Sequence, residues 1–149
     1  MMLSEHFSFE EMTRTATGFE NDPDVEAGAN LVTLCETLLE PARALLNSPF
    51  LVHSGYRSAS VNAKVGGDRK SAHLYGRACD FVPSAWEIHT AFETLAKSSL
   101  PYDKILLEQH DGNWWIHLQI PSAGNQPRRE AYTAIVTDTG TAYHPWSPR

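Results

Sequence analysis

Hydrophobic residues in the first third of the chain follow the spacing of an amphipathic helix. They recur at steps of three and four residues: Leu31, Leu34, Cys35, Leu38, Ala42, Leu45 and Leu46. Such spacing places the side chains on one buried face. Asp22 is the predicted N-cap of this helix, with Pro23 in its first turn. Because Pro41 falls inside the pattern, we expect it to kink the helix or to split it in two.

Two further helices are predicted from signals at their N-termini. Ser8 and Glu11 form a capping box, whose spacing satisfies two free backbone amides at a helix start. Ser84 and Glu87 repeat this spacing. The helix that follows presents one apolar face: Ile88, Ala91, Phe92 and Leu95. Between the two helices, residues 58–70 are predicted to form an irregular surface loop with at most one helical turn.

Strand patterns and turn signals fill the rest of the chain. The predicted strands cover residues 50–53, 77–82, 104–109, 113–120, 131–137 and 141–143. Asp111 and Gly112, which lie between two of them, are a strong signal for a two-residue hairpin. Helices followed by an antiparallel sheet predict a single α+β domain over residues 1–149, with the N-terminal helices packed on a small sheet.

The register of this hairpin places an acidic residue near a histidine. Glu108 faces Trp115 in the neighbouring strand, and Leu106 faces His117. Glu108 and His117 therefore share one face of the sheet, at a diagonal distance of roughly 7–8 Å. A carboxylate on the inner face of an apolar strand is costly without a partner. A metal-bound water would be one partner, and the alternative is a solvated face or an ion pair with Arg or Lys.

Residues 71–80 carry the most informative motif of the chain. His73 precedes Asp80 by seven residues, with Gly76 between them, and His117 follows far downstream in an aromatic strand. Two imidazoles and one carboxylate are ligands of a zinc ion that keeps an open position for water. These residues therefore predict a metal-dependent hydrolase.

The remaining histidines are expected to lie outside this group. Four are predicted at or near the surface: His6, His89, His110 and His144. His53 ends a strand and is expected to border the cleft. The aromatic residues Trp86, Trp114 and Trp115 either frame the cleft or pack in the core.

Composition limits the class of partner. Of 149 residues, 42% are hydrophobic and 20% charged, and the formal net charge is −6. Proteins that grip a nucleic-acid backbone need a basic face, so this charge argues against such a partner. No apolar stretch approaches the length of a membrane span. The first residues show no secretory signal, so we expect synthesis in the cytoplasm and separate delivery if the protein acts outside the membrane.

The motif Ser71-x-His73-x-x-Gly76-x-Ala78-x-Asp80, with Trp115-x-His117 downstream, resembles the zinc D-Ala-D-Ala carboxypeptidase family, peptidase M15. Residues 54–58, Asn62 and residues 66–67 are similar to its small phage and bacterial branch, as is the opening segment. The resemblance extends to about His117 and thins beyond Pro121. It implies the fold of the D-Ala-D-Ala dipeptidases and of the hedgehog signalling domain.

The resemblance also implies roles for individual residues. His73, Asp80 and His117 would bind Zn²⁺. Arg57 would bind the substrate carbonyl or stabilise the oxyanion, and Ser71 would add a hydrogen bond to the substrate or to the groups around the metal. Glu108 would be the general acid and base.

One position departs from the family pattern. Dipeptidase-like members place the catalytic acid three residues before the last histidine, and Trp114 stands there in this chain. Either Glu108 replaces that acid from the neighbouring strand, or the site is weakened.

The function implied is a zinc metallopeptidase, of carboxypeptidase or endopeptidase type, that hydrolyses peptidoglycan stem peptides at the cell wall. A phage-encoded endolysin is one such protein. The alternatives are a non-catalytic zinc-containing module that binds the cell wall or belongs to a phage tail, and a structural domain without metal. The sequence leaves open the bond that is cut, the origin of the gene and the oligomeric state.

Overall fold

Helices cover one face of a β-sheet. The computed structural model describes residues 1–148. Its helices are α1 (Phe9–Met12), α2 (Val25–Leu34), α3 (Glu40–Leu46), α4 (Ala59–Lys64) and α5 (Ile88–Lys97), with a π-helical turn at Cys35–Leu39 and a 3₁₀ helix at Ala72–Tyr75. The buried faces of α1, α2, α3 and α5 join the inner face of the sheet in one hydrophobic core.

The sheet has six strands in the order β1-β2-β4-β3-β5-β6. They are β1 (Phe50–Ser54), β2 (Ala78–Pro83), β3 (Lys104–His110), β4 (Asn113–Gln119), β5 (Glu130–Thr137) and β6 (Gly140–Pro145). The α+β class is confirmed. The sheet is antiparallel, as predicted, except at one pair, because β3 and β5 run parallel. Since β4 occupies the edge of β3 that faces β2, β5 returns along the opposite edge.

The hairpin of β3 and β4 has the predicted register. Glu108 pairs with Trp115, and Leu106 pairs with His117. Side chains alternate along a strand, so the intervening residues, such as Ile105 and Ile116, point into the core on the other face. One face of the sheet is therefore covered by helices, and the opposite face forms the floor of a polar cleft.

Pro41 widens the long helix without splitting it. Backbone torsions stay helical from α2 through the π-helical turn into α3. In that turn, the amide of Glu40 donates to the carbonyl of Cys35, five residues back. Proline lacks an amide hydrogen and its ring crowds the carbonyl four residues earlier. A widened turn just before Pro41 accommodates this crowding, so the expected kink takes the form of a π-helical turn.

Two helix starts differ from the prediction. Helix α2 is capped by Asp24, whose side chain accepts from the amide of Ala27 at 2.8 Å, and not by Asp22. Glu87 itself caps α5, because its side chain accepts from two backbone amides of the first turn. Ser84 instead donates to a carbonyl outside the helix, so the second capping box is wrong.

Other local predictions are confirmed or extended. The capping box of Ser8 and Glu11 is present at α1. Residues 58–70 hold α4, which is longer than the single turn expected, and Ser58 caps it. The C-terminal hairpin is present as β5 and β6. Within residues 1–148, no helix is both long and apolar enough to cross a membrane.

Gly76 offers a test of how the fold holds the segment before β2. Its φ of +70° lies in the left-handed region, and an added Cβ would collide with the carbonyl oxygen of Ala27 in α2. We expect Gly76→Ala to lower the free energy of unfolding by roughly 2 kcal/mol or more. Gly28→Ala is the matched control, because nothing lies within 4 Å of its added Cβ. Alanine in that helix should be neutral or stabilising by about 0.5–1 kcal/mol. Equal midpoints for both variants in urea unfolding would contradict the prediction.

Candidate active site

Asp80 and His117 are direct neighbours across two strands. The register of β2 and β4 pairs them, and the register of β3 and β4 places Leu106 on the other side of His117. The Nδ1 atom of His117 lies 2.9 Å from Oδ1 of Asp80. Residues that are 37 positions apart thus meet because the sheet places β4 between β2 and β3.

His73 reaches the same point from the 3₁₀ helix. Ser71 caps this helix, and its Oγ accepts from the amide of His73 at 3.2 Å. Gly76 ends it in the left-handed conformation, which turns the chain into β2. As a result, Nε2 of His73 lies 3.3 Å from Oδ1 of Asp80.

Hydrogen bonds on the far side of each imidazole fix its orientation. Nδ1 of His73 lies 2.7 Å from the carbonyl oxygen of Gly55, which can only accept, so this nitrogen carries the proton. Nε2 of His117 lies 2.8 Å from Oε1 of Gln119. The amide group of Gln119 donates to Asp103 at 3.2 Å, which turns its oxygen toward His117. When both imidazoles are neutral, each therefore directs a lone pair at Asp80.

This arrangement fits a metal ion. The three ligand atoms lie within 4.8 Å of one another, and Nε2 of His73 is buried without a hydrogen-bond partner among the described residues. Two ligands about 2.0–2.1 Å from a tetrahedral zinc are roughly 3.3 Å apart, which is close to the observed spacings. Two neutral imidazoles and a carboxylate form the ligand set of a catalytic zinc site. His73, Asp80 and His117 would hold the ion.

The charges of this group favour cation binding. Although burial favours the neutral acid, His73 and the hydrogen bond that the protonated form of His117 donates hold the pKa of Asp80 well below its usual range. Burial lowers the pKa of His73. Burial also opposes the charged form of His117, but Asp80 raises the pKa of His117 overall. Asp80 is therefore an anion at neutral pH, ready to coordinate a metal.

Glu108 lies beside this group, and the pKa of its carboxyl is shifted. Its side chain is 14% exposed, and Oε1 lies 3.7 Å from Nδ1 of His117. Burial, followed by the charge of Asp80, raises the pKa of Glu108 to about 7. A carboxyl that titrates near neutral pH can both accept and release a proton, as a general acid and base must.

Arg57 faces the same group from the loop after β1. Its amide donates to the carbonyl of His73 at 3.0 Å, which ties the two segments together. Burial lowers the pKa of Arg57, and the charges of Asp80 and Glu108 oppose this effect. Its Nε is buried without a hydrogen-bond partner in the described chain, so the guanidinium retains a donor for a ligand.

Two cavities meet at this site. The larger, of about 730 Å³, is lined by Ser71, His73, Glu108 and His117 among others. The smaller, of about 360 Å³, is lined in part by His53 and Ser54 of the edge strand β1. Arg57, Asp80 and Trp115 border both cavities. Space for a ligand therefore extends from these residues toward β1 as well as over β3 and β4.

The other candidate residues lie either at the cavities or away from the site. Trp115 borders the cavities. Trp86 and Trp114 pack against the core, and Trp86 also donates to the carbonyl of Leu46. The remaining histidines lie outside the metal-binding group: His6, His53, His89, His110 and His144. His53 borders the smaller cavity, as expected. The supporting residues Gly55, Gln119 and Asp103 were missed, because their roles depend on contacts that no local pattern reveals.

Comparison with known families agrees with this metallopeptidase-like arrangement. The profile of the family described as Peptidase M15 matches residues 5–119. The chain therefore belongs to the peptidase M15 family, whose members are in general zinc enzymes. A comparison with curated proteins gave no match. The family match includes His73, Asp80, His117, Arg57 and Glu108.

Removal of either histidine should abolish stable metal binding. We expect His73→Ala and His117→Ala to lower zinc from about one ion per chain to a small fraction, because two ligands cannot hold it tightly. Elemental analysis after dialysis measures this. His53→Ala is the matched control, since His53 is exposed and outside the group. Full zinc content in both ligand variants would show that the metal binds elsewhere.

Gln119 should affect zinc affinity without being a ligand. Gln119→Leu removes the acceptor that orients His117, so we expect zinc affinity to fall about 10–100-fold. Competition with a chromophoric chelator measures the affinity. Gln126→Leu is the control, because Gln126 is exposed in the loop before β5. Unchanged affinity in the Gln119 variant would rule out this supporting role.

Proposed function

We propose that the protein is a zinc-dependent peptidase that hydrolyses peptide bonds in peptidoglycan stem peptides. The observation that carries this proposal is the convergence of His73, Asp80 and His117, with the carboxyl of Glu108 at 3.7 Å from one of them. Membership of the peptidase M15 family supports the reaction class. The stem-peptide substrate and the cell wall as the site of action extend the resemblance seen in the sequence.

The residues of the site divide the chemistry among them. A bound zinc ion supplies Lewis-acid polarisation and lowers the pKa of water. Glu108 takes the proton of the attacking water and returns it to the nitrogen of the leaving amine. Arg57 stabilises the negative charge that develops on the carbonyl oxygen. Ser71 holds His73 in place through the backbone hydrogen bond at 3.2 Å and lies at the cleft wall, within reach of a substrate.

The two cavities favour an internal bond as the target. A carboxypeptidase needs space for only one residue beyond the scissile bond. Here two cavities share Arg57, Asp80 and Trp115, one of them toward β1 and the other over β3 and β4. This shape supports endopeptidase activity over carboxypeptidase activity.

A second candidate function is a non-catalytic module that binds cell-wall peptides. Trp114 favours it, because it stands three residues before His117, where relatives of the dipeptidase type have an acid. Glu108 supplies a carboxyl from the adjacent strand in the same cleft, and this observation favours the enzyme.

Glu108→Gln tests the proposed reaction. We expect this change to lower the rate of stem-peptide hydrolysis about 10²–10⁴-fold, because the amide cannot accept the proton. Zinc content should stay unchanged, since Glu108 is not a ligand. Mass spectrometry of products from purified peptidoglycan measures turnover and identifies the bond. Glu36→Gln, at an exposed helical position, is the matched control.

Two outcomes would contradict the proposal. Full activity of the Glu108 variant would assign the proton transfer to another group. If wild-type protein with bound zinc releases no product but binds the wall, the non-catalytic module is correct.

A further inference from the structure

One end of the larger cavity carries two cations that have no acidic partner. Arg77 and Lys104 both line this cavity. Neither forms an ion pair or a side-chain hydrogen bond with any residue in 1–148. The guanidinium of Arg77 lies over the ring of Tyr75, with 4.6 Å between its carbon and the ring centroid. This contact holds the Arg77 side chain in place and leaves its hydrogen-bond donors free.

The two cations lie at the two edges of the same end of β4: Arg77 just before β2, where its carbonyl accepts from the amide of Ile120, and Lys104 at the start of β3. Ala78, the residue after Arg77, pairs with Gln119 from β2, and Lys104 pairs with Gln119 from β3. Gln119 lies two residues beyond His117 on the same face of β4. At a rise of about 3.4 Å per residue, the backbones at this end lie roughly 7 Å from the level of His117.

Two acidic residues lie at this end, Asp103 and Glu130, and both form an ion pair with Arg128. Asp103 is 4% exposed, and Arg128 binds its carboxylate with an Nη2 to Oδ2 distance of 2.8 Å. Asp103 also accepts from Gln119. Glu130 pairs with Lys104 across β3 and β5 and lies 3.5 Å from Arg128. The three cations Arg77, Lys104 and Arg128 therefore exceed the two carboxylates by one positive charge, although the whole chain carries −6.

We propose that Arg77 and Lys104 form a subsite for a carboxylate of an acidic peptide that lies along the cleft. This inference rests on the proposed function and names a property of its substrate: a negative charge on one side of the scissile bond. A planar guanidinium and an ammonium group both bind carboxylates through charge-assisted hydrogen bonds. The subsite positions the peptide, while the groups around His117 carry out the reaction.

Peptide binding to a variant that does not turn over tests the subsite directly. The background is the full chain with Glu108→Gln and bound zinc. The probes are two synthetic stem peptides, one with the free α-carboxylate of D-glutamate and one with a carboxamide there. Isothermal titration calorimetry measures both affinities, first in this background and then with Arg77→Gln and Lys104→Gln added together.

We expect the carboxylate peptide to bind roughly three- to tenfold more tightly than the carboxamide, a preference that the added pair of changes removes. The preference should also shrink as salt is raised from low to high concentration, because the subsite is open to solvent. Lys97→Gln, on the exposed end of α5, is the control and should leave the preference intact.

Equal affinity for the two peptides, or a preference that survives the Arg77 and Lys104 changes, would overturn the subsite. The proposed function has a separate outcome. If wild-type protein hydrolyses both peptides with equal KM, the peptidase proposal stands and the subsite is wrong. If the carboxylate preference is present but wild-type protein cleaves neither peptide, the subsite stands and the peptidase proposal is wrong.

Discussion

The pairing of β2 with β4 is the constraint on which the site depends. It places Asp80 opposite His117, with a nitrogen-to-oxygen distance of 2.9 Å. Cross-strand neighbours have their Cβ atoms about 4.5–5.5 Å apart, so this register alone brings two ligands to one point. A slip of one residue would turn one of them into the core. The hydrophobic face beneath, with Phe81 and Ile116, therefore fixes the geometry of the polar face above.

The surroundings of the ligands prepare them for a cation. Gly55 and Gln119 accept hydrogen bonds from the outer nitrogens of His73 and His117, so the inner nitrogens face Asp80 as acceptors. When both imidazoles are neutral, these two nitrogens and the carboxylate of Asp80 are three acceptors that face one another and repel. A divalent ion relieves this repulsion, which links metal binding to the stability of the segment before β2.

Local rules recovered much of the fold and part of the site. The Asp111–Gly112 turn fixes the register of β3 and β4, and from it the relation of Glu108 to His117 followed correctly. Turn chemistry acts over a few residues and is readable in a sequence. The pairing of Asp80 with His117 spans 37 positions and depends on strand order, which no local pattern contains. The motif around His73 and the family resemblance supplied that grouping instead.

The errors have a related cause. Asp22 and Asp24 both precede residues that can start a helix. The path of the chain brings the carboxylate of Asp24, and not that of Asp22, to the amide of Ala27. The hydroxyl of Ser84 donates to the carbonyl of Pro49, just before β1, and Glu87 caps α5 instead. Gln119 and Asp103 form a support behind His117 that arises only once three strands and a loop have assembled.

The C-terminal hairpin gives the cleft a wall that lies outside the residues matched by the family. Gly140, Thr141 and Tyr143 of β6 line the larger cavity, yet they lie beyond residue 119, where the family match ends. The hairpin joins the rest of the sheet through the parallel pairing of β5 with β3. The metal ligands therefore lie in the floor of the cleft, and these three residues lie in its wall. Evolution can reshape the wall, and with it the length and side chains of acceptable peptides, while the ligands in the floor remain untouched.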